Sequence, residues 1–438
     1  MLIALVLALA GCGGVGNDPS GDAGGKASLT TMGFGLPDEH ATARVDVYRK
    51  AHPDVDIRIN EGNFDEQQFL SALASGSPPD LIYLDRNKLG SFAARAAVQP
   101  IDDCVKRRNV DMSQFRQGTV EQVTFDGKLY GLPEFAQVRL LIMSNTVLRE
   151  AGLAPDQLST SDWSALADAA KRLAKVTGGR VERIGFDPKV PEFLPLWAKA
   201  NGVDLVGDDG KTVRLNDPKT VEAVRFTTDL VAEQGGWSQF KAFKDGFDML
   251  GARNQYVTGQ LAAMPIESWY INTLAANSPD VDVTVLPFTD RSGTPVTTAG
   301  GQAWAIPKGA PHPEQACDFM VTMTATDTWV TAAKARRDAL AKQNKPYSGT
   351  YTANRAADEK IFAEVYDGQS NKIIDAGVRV ALSLQDKVFA WPANPAGAEL
   401  LKVWESAVNR VLLGQQSPEQ AMQQAQQEAD TAIQRAGR

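Results

Sequence analysis

Histidine and cysteine are scarce in this chain of 438 residues: three of each, His40, His52 and His312, and Cys12, Cys104 and Cys317. A zinc enzyme built on clusters of those ligands is therefore excluded as a class. No cluster of cations is present either, and Lys+Arg total 45 against 53 Asp+Glu, a formal charge of −8. A nucleic-acid binder needs concentrated cations to neutralise phosphates, so none is expected. Apolar residues are continuous only over Leu2 to Ala10, far short of the ~20 residues that span a bilayer. Catalytic signatures are absent as well: there is no G-x-S-x-G, no H-E-x-x-H and no G-x-x-x-x-G-K-[ST]. Gly33-Phe34-Gly35-Leu36-Pro37-Asp38 opens like a dinucleotide loop, but lacks the third glycine, and Pro37 removes a donor that a phosphate needs. Paired carboxylates of a glycosidase stay open, since no local signature selects a pair.

What is present is a globular composition, 43% apolar, 22% charged and 8% aromatic, long enough for at least two domains. Leu2–Ala10 followed by Gly11-Cys12 reads as the apolar core of a secretory signal, though the usual Lys/Arg start is missing. Leu9-Ala10-Gly11-Cys12 resembles the lipobox of bacterial lipoproteins, in which the cysteine is acylated. The next segment, GGVGNDPSGDAGGKA, reads as a flexible tether of roughly 20 Å root-mean-square reach. Residues 1–27 are thus expected to be signal peptide, lipobox and tether. In an oxidising compartment Cys104 and Cys317 either pair or remain buried free thiols.

Beyond the tether the pattern alternates. Strand Ser28–Met32, a helix over Asp38–Lys50, strand Val55–Ile59, a helix through Phe69 and Leu73, strand Leu81–Leu84 and a helix through Leu89 and Phe92 predict an α/β fold with parallel strands. Ligands in such sheets sit beyond the carboxyl ends of strands, where Gly35 and Asp85 fall. A helix is expected over Trp163–Lys175, capped by Ser161 or Thr160, and a hairpin turn at Gly207–Gly210. The last helix should open with Ser417 as cap, Pro418 at its first position and Gln420 closing a capping box, with Met422, Ala425, Ala429 and Ile433 buried. Trp269-Tyr270, Trp304 and Trp391 lie among polar and glycine-rich neighbours, which suits a ligand with an apolar face and a polar edge, as a sugar ring has. Trp329 and Trp404 read instead as core.

The motifs at this point resemble a family. Tyr48-Arg49-Lys50-Ala51-His52-Pro53-Asp54-Val55, Ala74-Ser75-Gly76-Ser77-Pro78-Pro79-Asp80-Leu81 with Asp85, Gly127-Lys128-Leu129-Tyr130-Gly131-Leu132-Pro133, Gly259–Met264 leading to Trp269, and Gly300-Gly301 through Lys308 are similar, in order, to segments of the extracellular solute-binding lipoproteins of bacterial ABC importers, in the maltose-binding-like carbohydrate cluster. There are departures: Met143-Ser144 replaces a Tyr-Asn pair, and Gln137 and Arg139 stand where an acid or Thr is common. Trp163 matches a family position but reads as a packing residue.

The resemblance implies a two-lobed periplasmic-binding-protein fold of type II, each lobe a sheet flanked by helices. The first lobe would be 28–137 plus 289–340, and the second 138–288 plus 341–438, with crossings near 137–140, 288–297 and 340. Ligand would bind between the lobes, at Phe34, Gly35, Asp85 and Arg86 on one side and Gln137, Arg139, Trp197, Glu267, Ser268, Trp269, Tyr270, Gly300, Gly301, Trp304 and Trp391 on the other. No cofactor, metal or catalytic residue is implied. The implied partners are a carbohydrate, the permease subunits of an importer and a membrane through the Cys12 lipid, with the protein a monomer outside the cytoplasm. Arg86 and Arg139 leave open a phosphorylated or acidic polyol such as a glycerol phosphodiester. A surface-anchored glycosidase or lyase is the alternative of another class.

Overall fold

The structure, a computed structural model, describes residues 27–368 and 371–436. The signal, lipobox Cys12 and tether before Ala27 lie outside the described residues.

The expected alternation is present. Strands β1 (Ala27–Met32), β2 (Val55–Asn60) and β3 (Leu81–Asp85) alternate with helices α1 (Glu39–Ala51), α2 (Glu66–Ala74) and α3 (Arg86–Ala94). Their side chains explain the order. Asp38 and Asp65 cap α1 and α2 through backbone N–H groups, at 3.1 Å from Ala41 and 2.8 Å from Gln68. Leu29, Leu81, Ile82 and Leu84 are buried, as strands covered on both faces require. A hairpin of β4 (Thr124–Phe125) and β5 (Lys128–Leu129) turns at Asp126-Gly127, both at positive φ, and leads to the two-residue β6 (Leu132–Pro133).

The chain then changes sheet. β7 (Gln137–Ser144), β8 (Lys175–Thr177), β9 (Arg180–Phe186), β10 (Leu261–Glu267), β11 (Val283–Pro287) and β12 (Thr297–Gly300) form a second sheet, while β13 (Gln302–Ala305) returns to the first and β14 (Val388–Phe389) to the second. The first sheet runs β2-β1-β3-β13-β6, parallel up to β3, with β13 antiparallel to both its neighbours. The second runs β14-β12-β7-β10-β9-β8, with β11 also on β7. The α/β class and two-sheet architecture match the expectation.

The crossings differ in place from those expected. The first sheet ends at Pro133 and the second begins at Gln137. The return is at Gly301 rather than 288–297, because β11 and then β12 follow one edge of β7: Pro287 lies opposite Leu140, and Ala299 opposite Val138. The third passage lies beside the first, with Thr352 bridged to Phe135 and the Ala353 N–H donating to the Glu134 carbonyl at 2.8 Å.

Each sheet has its own core. Val45, Tyr48, Phe69, Phe92, Trp304 and Met320 pack around the first. Phe186, Trp197, Leu230, Trp404 and Met422 fill one face of the second, and Ile142, Tyr256, Ile266 and Val378 the other. Cys104 and Cys317 are joined in a disulfide, Cα atoms 5.9 Å apart, which ties the Asp102–Arg107 and Pro313–Thr324 helices. The open choice between pairing and free thiols thus falls to pairing. The Pro418–Ala436 helix has both capping-box bonds, Gln420 N–H to Ser417 Oγ at 3.2 Å and Ser417 N–H to Gln420 Oε1 at 3.1 Å. The Trp163–Leu173 helix is capped by Asp162, not Ser161 or Thr160. The Asp162 carboxylate takes the Ser164 and Ala165 N–H groups, while Thr160 is drawn to the Thr289 carbonyl.

Candidate binding cleft

Where the two sheets meet, a cavity of about 640 Å³ opens between Asp85 at the end of β3, Gln137 and Arg139 at the start of β7, Glu267 at the end of β10, and the Gly300-Gly301 link. Strand ends put polar side chains there, because each chain leaves its sheet at this level. The register of β7 on β10 sets Arg139 opposite Glu267, and their side chains pair at 3.4 Å. Arg139 is also bonded to Thr298 and stacks its guanidinium over the Phe193 ring, 4.9 Å from its centroid. Its charge is thereby compensated within the wall. Gln137 is oriented by Ser268, whose Oγ donates to Gln137 Oε1 at 3.0 Å.

Aromatic faces complete the cleft: Trp269 at the start of the Trp269–Asn277 helix, Phe135 from the first crossing, and Trp391. Trp391 meets the Trp404 ring nearly at right angles, centroids 6.2 Å apart. Near these rings Glu192 and Glu405 face the cavity with Lys88 and Lys402. Burial and the neighbouring Glu192 carboxylate raise the Glu405 pKa above the usual value, against the pull of Lys88.

Of the residues expected in the site, Asp85, Gln137, Arg139, Glu267, Trp269, Gly300, Gly301 and Trp391 line this cavity. The others do not. Arg86 is 1% exposed and points into the crossing: Nη1 donates to the Phe135 carbonyl at 2.5 Å and that of Gln302 at 3.2 Å, Nη2 to that of Ala299 at 3.2 Å, and Nε to Gln122 Oε1 at 2.9 Å. Burial pushes its pKa down to about 10. It binds both crossings together rather than facing a ligand. Gly301, at φ +147°, is needed for that, since a Cβ there would stand 2.6 Å from Arg86 Nη1 and 2.4 Å from the Phe135 oxygen.

Phe34 and Trp304 pack on each other in the first core, ring centroids 4.8 Å apart, and Trp304 Nε1 donates to the buried Glu134. Gly35 sits beside Glu61, outside the lining. Trp197 is wholly buried, its indole donating to the Pro188 carbonyl at 2.8 Å with Phe288 against its ring. Tyr270 is wholly buried too, its hydroxyl taking a bond from Gln255 at 2.9 Å. Ser268 acts through Gln137 and has no exposed surface.

The sequence reading missed Asn87, Lys88, Phe135, Glu192, Pro195, Gln302 and five residues of the Gly397–Leu412 helix, Ala398, Leu401, Lys402, Trp404 and Glu405. Asn87 and Lys88 lie two and three residues after Asp85, in the first turn of α3, so the strand-end rule extended by one helical turn finds them. Among the described residues no group of three or more His, Cys, Asp or Glu is placed to hold a metal ion.

A cleft between two sheet-and-helix lobes, walled by aromatic faces and paired polar groups, is the site of a solute receptor. The family model for bacterial extracellular solute-binding proteins matches residues 43–338, and the chain belongs to that family. It is similar to the arabinooligosaccharide-binding protein of Bacillus subtilis, 23% identical over 330 residues that cover 73% of each chain. It is also similar to the lactose-binding protein of Rhizobium radiobacter, 21% identical over 64% of this chain and 66% of that one. Among solved structures, CpMnBP1 with mannotriose bound superposes with a TM-score of 0.75 at 25% identity, covering 92% of this chain and 100% of that one.

Proposed function

We propose that this protein captures a carbohydrate, a mono- or oligosaccharide or a sugar or polyol derivative, by closing its lobes on it, and hands it to the permease of an ABC importer. The observation that carries this reading is the pairing of indole faces with fixed polar groups in one cavity. Trp269 and Trp391 offer flat apolar surfaces to the C–H faces of a sugar ring. Asp85, Gln137 and the Arg139–Glu267 pair offer donors and acceptors for its hydroxyls. The volume of about 640 Å³ lies in the range of small-molecule sites. The names of the relatives, which speak of arabino-oligosaccharide, lactose and mannotriose, point the same way.

A phosphorylated or acidic polyol is supported less. Arg86 is saturated by carbonyls and the charge of Arg139 is matched by Glu267, which leaves Lys88 and Lys402 as the cations for it. In this reading the protein returns its ligand unchanged, acts as a monomer, and floats outside the membrane on a lipid at Cys12. Titration calorimetry against mannotriose, maltotriose, lactose, arabinotriose and glycerol phosphodiesters tests it, with chromatography of the recovered sugars. Tight binding with intact sugar is expected; hydrolysis, or heat only from the phosphodiesters, overturns it.

A further inference from the structure

Helix α3, on the side of the first sheet, and the start of the Gly397–Leu412 helix, packed on the second, meet main chain to main chain. A Cβ placed on Gly90 would stand 2.5 Å from the nitrogen and 2.6 Å from the oxygen of Asn394, and one on Gly397 would stand 2.3 Å from the Asn87 oxygen. These are backbone atoms, which cannot swing aside as a side-chain tip can. Asn394 is itself held from the other side, 2% exposed, with its Nδ2 bonded to the Gly210 carbonyl and its Oδ1 accepting from the Ala396 N–H at 2.7 Å. Around the contact the Ala398 N–H donates to Ser91 Oγ at 3.2 Å, and Arg95 pairs with Glu399 at 2.9 Å.

Local structure does not ask for a glycine at position 90. It lies inside α3 and outside the left-handed region, and alanine is the better helix former there. The reason for glycine is the contact. We propose that Gly90 and Gly397 are the positions that permit the contact between lobes on which ligand capture depends. Without side chains at both, α3 seats against the other lobe and joins Asn87 and Lys88 to Ala398, Leu401 and Lys402 as one wall of the cleft. The proposal rests on the carbohydrate reading above, and adds that this wall forms as the lobes close.

The test uses the ligand-free protein carrying Arg95→Cys and Glu399→Cys, whose native side chains are about half-exposed and outside the cleft, treated with a short bis-maleimide. The cross-link should form in this parent and at least tenfold more slowly once Gly90→Ala is added, while the thermal midpoint does not fall. Affinity for whichever of mannotriose, maltotriose, lactose and arabinotriose the unsubstituted protein binds should drop at least tenfold in Gly90→Ala and in Gly397→Ala. An unchanged cross-linking rate, or no cross-link in the parent, overturns the proposal. So does loss of cooperative unfolding in Gly90→Ala, which would make the contact packing within one rigid body. Absence of heat from every sugar of the panel in the unsubstituted protein tells against the carbohydrate reading, while the cross-linking rates still decide whether the wall forms on closure.

Discussion

Replacing Arg86 with methionine separates a hinge residue from a ligand contact. The guanidinium satisfies three main-chain carbonyls, of Phe135, Ala299 and Gln302, and the side-chain oxygen of Gln122, all in a site where it is 1% exposed. Methionine fills comparable length but donates nothing. Each buried carbonyl left without a donor costs about 1–3 kcal/mol, partly offset because a charge no longer has to be desolvated. Taking about 1 kcal/mol for each carbonyl gives a loss of about 3 kcal/mol. With an unfolding entropy of about 2.1 cal/mol/K per residue over about 400 residues, the midpoint should fall by roughly 3–4 °C. Lysine, a single point donor without the planar fork, should recover little of this. The assay is differential scanning calorimetry of both variants with carbohydrate titration of the survivors at low temperature. A midpoint within about 2 °C of the parent together with lost binding would refute the reasoning, since that is how a ligand contact behaves.

Trp269→Ala should weaken carbohydrate binding by about 10–100-fold, as loss of an aromatic anchor does, without lowering the melting temperature; unchanged affinity by calorimetry would remove it from the site. The Cys104→Ala/Cys317→Ala double variant opens a loop with a sequence separation of 213 residues and should lose about 2–5 kcal/mol in urea unfolding, whereas an unchanged midpoint would mean that the bond constrains nothing. Asp358 is buried, and its pKa is raised to about 6 by burial against the opposing pull of Arg116 and Thr352. The folded state therefore holds a proton that the unfolded chain has released, so stability falls as pH rises from about 4 to about 6 and is level above. The fall is roughly 3 kcal/mol, and it should vanish in Asp358→Asn; melts at pH 4, 5, 6 and 7 that show the same slope in both proteins would count against it.

Short-range features were readable in the sequence because their physics is short-range. Ser417, Pro418 and Gln420 act within one turn, and the capping box they predict is formed. Thr160, Ser161 and Asp162 are three adjacent caps; the distant Thr289 takes Thr160 and Ser159 takes Ser161, which leaves Asp162 to bond the helix. The cleft follows the same division. Asp85 was visible because a strand end is a topological position, and Trp269 and Trp391 because polar neighbours mark a chain leaving the core. Trp304 has similar neighbours but lies buried on a strand between β3 and β6, and Trp197, among apolar helical neighbours, is packed under Phe288. Local composition does not say towards which side a turn carries the next residue. Lys402, Trp404 and Glu405 were out of reach for the opposite reason. They sit on an ordinary amphipathic helix whose cleft-facing edge exists only once α3 has packed against its start.

The place of β13 bears on how the molecule is made. That strand lies between β3 and β6, so the first sheet is missing an inner member until residue 305 is available, after the whole second sheet except β14 has been synthesised. Leu84 and Leu132 must wait for Ala303 and Trp304 to cover them, and the Cys104 thiol waits for Cys317. The first sheet therefore cannot be completed until the chain through residue 305 is present. Chain order and folding order are uncoupled here, which favours slow, late-closing assembly over a domain-by-domain sequence.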